Sequence, residues 1–278
     1  MKSLFKYIYK ILVEFIQNIT FHIKKRTYIF SPVFIIGCGR SGTTILGNTL
    51  SQHPKVKYLN ERRDLWHKSY PEFDIWNKKM QNLKLHVDEK DIIFKKHNVL
   101  HYLLFKEQVL GNAKILLEKL PINAFRLNFL EKSFPNARYI YLTRNGLEVS
   151  ESIEKSIQKG NWFRNYDLLK SCNIENSDKH SGMLEWKLSI EHSDPFFRKI
   201  NQNRFIHLSY KDFIDSPSER LKDVFKFLEL NYTENWINEI SKNIKRKSPE
   251  IKKTADENLY LIGGDFLNQS IKNNYTPF

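Results

Sequence analysis

Residues 33–50 constrain the fold more than any other stretch of the chain. Val33-Phe34-Ile35-Ile36 is an unbroken apolar run, Gly37 to Thr44 is rich in Gly, Ser and Thr, and Ile45, Leu46 and Leu50 recur at helical spacing. A short, continuously apolar run suits a strand buried on both faces of a parallel sheet. A glycine turn joining such a strand to a helix presents backbone N–H groups and a positive helix end to an anion. Further buried-strand candidates are Val56–Leu59, Ile115–Leu117, Tyr139–Leu142 and Phe205–Leu208. Helical stretches separate most of them, at about 123–133, 146–159, 183–200 and 217–229. The last has a start signal, with Ser216 as N-cap, Pro217 at the first helical position and Glu219 three residues after the cap. Strands alternating with helices predict a three-layer α/β fold around a mainly parallel sheet. Residues 65–110 show amphipathic turns without a strand pattern and read as a helical insertion. Residues 31–278 then form a single domain, preceded by a helix within 1–30. The tail beyond 242 is basic and then Asn-rich, with Gly263-Gly264 read as a turn.

The glycines of the loop, Gly37 and Gly42, have the spacing of a Walker A motif, but Thr43 stands where a nucleoside triphosphatase needs its lysine. The cation is Arg40, inside the loop. Such a loop suits a 5′ end carrying one phosphate joined to a sulfate. Thr43, Thr44 and the backbone amides of Gly39, Ser41 and Gly42 would hold the phosphate, with Arg40 on the outer oxygens. The segment from Pro32 to Thr44 resembles the 5′-phosphosulfate loop of sulfotransferases that use 3′-phosphoadenosine 5′-phosphosulfate (PAPS). It is similar to the arginine-bearing form known from tyrosylprotein and from bacterial glycan and glycolipid enzymes. The resemblance extends over about 32–230. It implies a P-loop-like fold, PAPS as co-substrate, PAP as product, and in-line transfer with no metal.

A second anion anchor lies in Arg138–Ser152, a strand running into a helix with Arg144 at the junction. An arginine supplies a forked, permanent charge for a phosphate, and a serine adds a hydroxyl donor. The resemblance implies that Arg144 and Ser152, eight residues apart, clamp the 3′-phosphate at the far end of the adenosine from the loop; Ser150 is a competitor with different spacing. Tyr210 matches the family's adenine-side tyrosine, with a packing role as the alternative.

Sulfuryl transfer needs a base for the acceptor proton and donors for the departing phosphate oxygen. Glu61 is the candidate base, directly after a short strand. Its position 21 residues after Arg40, with Arg63 two further on, resembles the Glu-x-Arg element of tyrosylprotein sulfotransferases. A surface ion-pair cluster is the alternative reading, and His53 and His67 are runner-up bases. Lys119 ends a strand before Pro121 and resembles the lysine that steadies the sulfate, while Glu118 reads as structural support. Arg63 and Trp66 are assigned to acceptor binding, with Trp76, Trp162, Phe163 and Trp186 as further aromatics of the acceptor side. The catalytic set is thus Glu61, Arg40 and Lys119.

Charge enters the argument here. With 45 Lys and Arg against 31 Asp and Glu, the net charge is +14, which favours anionic partners. No nucleic-acid-binding signature accompanies it, so nucleic acid is not an expected partner. Two cysteines, Cys38 and Cys172, form neither a disulfide framework nor a metal cluster, and a reducing, cytoplasmic setting is expected. At the N-terminus, Leu4, Phe5, Ile8, Ile11, Leu12, Phe15, Ile16 and Ile19 share one helical face, with Lys2, Lys6, Lys10 and Glu14 on another. Four charges exclude a transmembrane span. Residues 1–22 could lie on the inner face of a membrane; packing on the domain or on a second subunit is the alternative. With no anchor visible, a carbohydrate or glycolipid hydroxyl is expected as acceptor ahead of peptide tyrosine. The rival functions are a P-loop kinase or NTPase, and a nucleotide- or glycan-binding protein without catalysis.

Overall fold

Five short strands, each followed by helical chain, form one parallel sheet: β1 (Pro32–Ile36), β2 (Val56–Asn60), β3 (Ile115–Lys119), β4 (Arg138–Thr143) and β5 (Phe205–Ser209). Their order is β2-β3-β1-β4-β5, and all four pairings are parallel. The computed structural model describes residues 2–76, 84, 86–162, 177–245, 259–265 and 267. Phe163 and Cys172 lie outside the described residues, as do the side chains of Lys2, Leu4, Phe5 and Lys10.

The apolar run of β1 is continuous because helices cover both of its faces. Phe34 and Ile36 pack into a cluster with Leu116, Tyr139, Phe129 and Leu104, while Val33 and Ile35 enter another with Leu46, Leu50, Leu208 and Phe225. Successive side chains of a strand point to opposite faces. Each fully buried side chain of this size stabilises by about 1.5–3 kcal/mol, so two interleaved cores pin the central strand.

The first layer is built by α3 (Arg63–Ser69), α4 (Phe94–Leu110), α5 (Leu127–Ser133) and part of α7 (Asp178–Phe197). Residues 65–110 therefore supply one of the covering layers, and among their described residues helices and 3-10 turns alternate with coil and no strand occurs. The opposite layer holds α2 (Thr43–Leu50), α8 (Tyr210–Asp215), α9 (Pro217–Phe227) and α10 (Glu234–Ser241). A third cluster, around α6 (Gly146–Gln158) and α7, includes Cys38, Ile153, Met183 and Trp186.

Three local expectations need correction. Helix α9 starts at Pro217 as expected, but Ser216 makes no side-chain cap bond and contributes only its carbonyl, to Arg220 N at 3.1 Å. Gly263 and Gly264 lie within helical residues, because Leu259 and Ile262 are buried in the third cluster and hold that segment against the domain. Trp66 is core rather than acceptor surface: it is 2% exposed, donates to Glu118 Oε1 at 3.2 Å and lies under the Arg126 guanidinium.

Candidate active site

Parallel strands place all their carboxyl ends at one edge, and here each end delivers a polar residue. Glu61 follows β2, Lys119 ends β3, the loop Gly37–Gly42 follows β1, Arg144 follows β4 and Tyr210 follows β5. Read across the sheet, the order is Glu61, Lys119, loop, Arg144, Tyr210. From β1 the chain crosses to one side of the sheet and from β4 to the other, so a crevice opens between their ends. In open α/β sheets ligands bind at such a switch point.

Two of the polar residues adopt left-handed backbone, Arg40 with φ 67° and Glu61 with φ 53°. This conformation costs a non-glycine residue of order 1–3 kcal/mol and persists only where the surroundings enforce it. For Glu61 the enforcement is visible: its N–H donates to the Lys119 carbonyl at 3.0 Å, and its carbonyl accepts from Arg63 N at 2.7 Å. The Glu61 carboxylate is ion-paired to Lys119 Nζ, a lysine 1% exposed paired to a glutamate 47% exposed. Asn60 and Lys119 are register partners, which sets the two side chains alongside.

In the loop, Gly42 has φ 97°, and a Cβ there would lie 2.5 Å from the Tyr210 ring, so only glycine fits. Ser41 and Thr43 are buried and Thr44 is exposed at the start of α2. Gly39 is covered by the Trp162 indole, which would meet a Cβ at 2.3 Å. Trp162 donates to Glu185 Oε2 at 2.9 Å, and burial pushes the Glu185 carboxyl up to about 7.

The two anion anchors meet rather than standing apart. Arg40 Nε donates to Ser152 Oγ at 3.2 Å, and Arg144 Nη1 donates to the Arg40 carbonyl at 2.9 Å. Because β1 and β4 are neighbours in the sheet, the segments that follow them abut. Ser152 thus faces Arg40, while Arg144 Nε pairs with Glu148 at 2.7 Å and the guanidinium stacks 4.2 Å from the Tyr210 ring centre. Ser150 is fully buried and bonds Leu147 O at 3.4 Å.

Beside the loop opens a cleft of about 810 Å³ lined by Glu61, Arg63, Trp76, Pro121, Gln158 and Trp162, among others. Arg63 is bound to Asp74 at 2.7 Å and stacks 5.0 Å from the Trp76 ring centre. Trp76, not Trp66, lines the cleft, and Trp186 is buried with its N–H on the Arg144 carbonyl at 3.0 Å. Of the runner-up bases, His53 lies at the opposite, amino edge of the sheet on the Asn231 carbonyl at 3.0 Å. His67 lies 3.8 Å from Asp74, and neither histidine lines the cleft. Behind Lys119, Glu118 is buried and accepts from Asn123 at 2.6 Å; burial pushes its carboxyl up to about 7. Sequence reasoning missed Glu148, Glu185 and Asp74. All three act through partners distant in the fold or on a neighbouring turn, and no motif marks them. Among the described residues there is no cluster of metal-ligating side chains.

Comparison with known proteins bears on the family and the fold. A family model described as "Sulfotransferase family" matches residues 32–234. Protein-tyrosine sulfotransferase A of Caenorhabditis elegans is 23% identical over 81% of this chain and 58% of its own length. Protein-tyrosine sulfotransferase 2 of Gallus gallus is 22% identical over 74% of this chain and 53% of its own. The chain thus spans little more than half of these relatives. The sulfotransferase domain of the Synechococcus PCC 7002 olefin synthase superposes with a TM-score of 0.53 at 16% identity, covering 86% of this chain and 95% of the domain. A sulfotransferase from Mycobacterium avium gives 0.55 at 15% identity, covering 91% and 80%. At these identities the structural likeness is one of fold.

Proposed function

This chain belongs to the sulfotransferase family, and from that premise we propose that it transfers a sulfuryl group from PAPS to an acceptor hydroxyl, with Glu61 as general base. The observation that carries the proposal is the order along the sheet edge. A carboxylate and a lysine stand on one side of an arginine-bearing glycine loop, and a second arginine stands on the other, with Ser152 bonded to the loop arginine.

The donor set fits a molecule with two anionic ends. Loop amides, Thr43, Thr44 and Arg40 suit the 5′-phosphosulfate, and Arg144 with Ser152 suits the 3′-phosphate. PAPS supplies the sulfuryl group. Glu61, at the mouth of the cleft, takes the acceptor proton as the acceptor oxygen attacks sulfur in line. Lys119, already beside Glu61, neutralises charge growing on the departing phosphate oxygen, together with Arg40 and the loop amides. The absent Walker lysine disfavours a kinase or NTPase, whose chemistry needs that cation on the β/γ-phosphates.

For the acceptor we propose a carbohydrate or glycolipid hydroxyl. Two indoles, Trp76 and Trp162, and the Arg63 guanidinium line the cleft beside Glu61, and flat aromatic faces suit sugar rings. A tyrosine hydroxyl is the second reading, favoured by the names of the C. elegans and G. gallus relatives.

Calorimetry with PAP against AMP and ATP tests the donor site. PAP is expected to bind and AMP to bind far more weakly; equal affinities would sink the 3′-phosphate assignment. Transfer from radiolabelled PAPS to a glycan, glycolipid and tyrosine-peptide panel then identifies the acceptor. Magnesium-dependent ATP turnover without sulfate transfer would replace the proposal with the NTPase reading.

A further inference from the structure

The N-terminal helix α1 (Lys2–Lys24) is held to the domain by the wrong face for an ordinary surface helix. Its described contacts run to α4: Asn18 Oδ1 accepts from Tyr102 and from Lys106 Nζ at 2.7 Å, and the buried Phe21 packs edge-on to Tyr102 and Phe105. Its apolar residues look the other way. Ile8, Leu12, Phe15, Ile16, Ile19 and Ile23 are each 46–71% exposed. At 3.6 residues per turn these six fall within an arc of roughly 100°, and Phe21 lies on the far side of the helix. A helix that hides its apolar stripe in its own core would show the reverse pattern. The helix is also too charged to cross a bilayer, and no described helix is long and apolar enough to do so.

Charge decides which occupant suits this stripe. The helix carries Lys2, Lys6, Lys10 and Lys24 against a single acid, Glu14, and Lys25 and Arg26 follow directly. Tyr9, 69% exposed, borders the stripe, and tyrosine favours a membrane interface. Lys6 and Lys24 lie across the helix from the stripe, so the apolar face is backed by a basic one, a pattern that anionic headgroups complement. We propose that α1 docks the protein on an anionic lipid surface, lying in the plane of the interface with the Ile8–Ile23 stripe among the acyl chains. The domain is then held at the surface through Asn18 and Phe21. The inference is independent of the reaction catalysed at the sheet edge. Apolar burial and attraction to anionic lipid together set the strength of such binding, and each Lys or Arg near the surface adds about fivefold to partitioning.

Flotation of the full chain with phosphatidylcholine vesicles, with and without phosphatidylglycerol, tests this. Binding is expected to the anionic vesicles, to weaken as salt is raised, and to fall at least about tenfold in Phe15→Glu/Ile19→Glu. Both positions are solvent-exposed, so an unchanged melting temperature should accompany the loss. A double variant that floats as well as the original chain would overturn the proposal, because another basic surface would then be responsible. So would absence of flotation with a concentration-dependent dimer that the same double variant disperses. That result would make a second copy the occupant.

Discussion

The two edges of the sheet carry comparable positive charge and put it to different uses. At the amino edge lies a cavity of about 900 Å³, larger than the cleft beside Glu61, lined by His53, Lys55, Lys114 and Arg138, among others. Three of its polar groups hold backbone carbonyls: His53 that of Asn231, Lys114 that of Glu229 at 2.6 Å and Arg138 that of Phe227 at 2.8 Å. They fasten the turn after α9 to the strand beginnings. At the carboxyl edge, by contrast, Arg40 and Lys119 bond to side chains of the candidate site, Ser152 and Glu61. Two residues there are held in left-handed backbone. Cavity size and basic charge therefore do not locate this site; strand direction does, because only the carboxyl ends face helix N-termini and loop amides.

The sharpest break between the edges should appear in turnover. Glu61→Gln and Arg40→Ala are expected to lower kcat on the order of 10²-fold or more, and Lys114→Ala to leave it unchanged. Steady-state sulfate transfer measures both, and full activity in Glu61→Gln would move the base elsewhere. Next in size, Arg144→Ala should weaken PAP binding by ~10- to 100-fold, the worth of lost charge-assisted hydrogen bonds. It should also narrow the preference for PAP over AMP in calorimetry. Arg138→Ala, at the other edge, should cost about 1–2 kcal/mol of stability in a denaturant titration, with PAP affinity retained.

A last expected effect, visible only as pH changes, concerns Glu185, part-buried beside Gly39 of the loop. Burial raises its carboxyl to about 7 from the ordinary 4.5, so between these values the folded protein holds a proton that the unfolded chain has released. Its contribution to stability is therefore present below about pH 4.5 and lost as pH rises through about 7. Glu185→Gln, which keeps an acceptor for the Trp162 N–H, should remove this fall, a change of up to about 3 kcal/mol. Melting curves from pH 5 to 8 would read it, and parallel curves for the two proteins would refute it.

Much of this carboxyl edge was legible from local pattern. The five strands, the glycine loop and the junction at Arg144 follow from apolar runs ended by turn residues, each contained within a few residues of chain. Glu61 and Lys119 could be singled out because each stands at the end of such a run. Their ion pair could not be, since it depends on the register of β2 against β3. The exchange of Trp66 for Trp76 on the cleft wall has a similar origin. Both are tryptophans in a helical stretch, and only packing against Glu118 and Arg126 decides which one is buried. The apolar stripe of α1 was visible as a period, but its outward direction was not.

By itself the sequence determined which residue types stand at each strand end and that the loop carries an arginine instead of the Walker lysine. It also determined that the sheet is parallel and buried, because these are properties of short runs with their own periodicity. Only the tertiary structure decided partnership: Arg40 with Ser152, Arg144 with Glu148 and Tyr210, and Glu61 with Lys119. Such pairs join positions up to 112 residues apart. Their distances are set by the order in which strands assemble, which no stretch of the chain encodes locally.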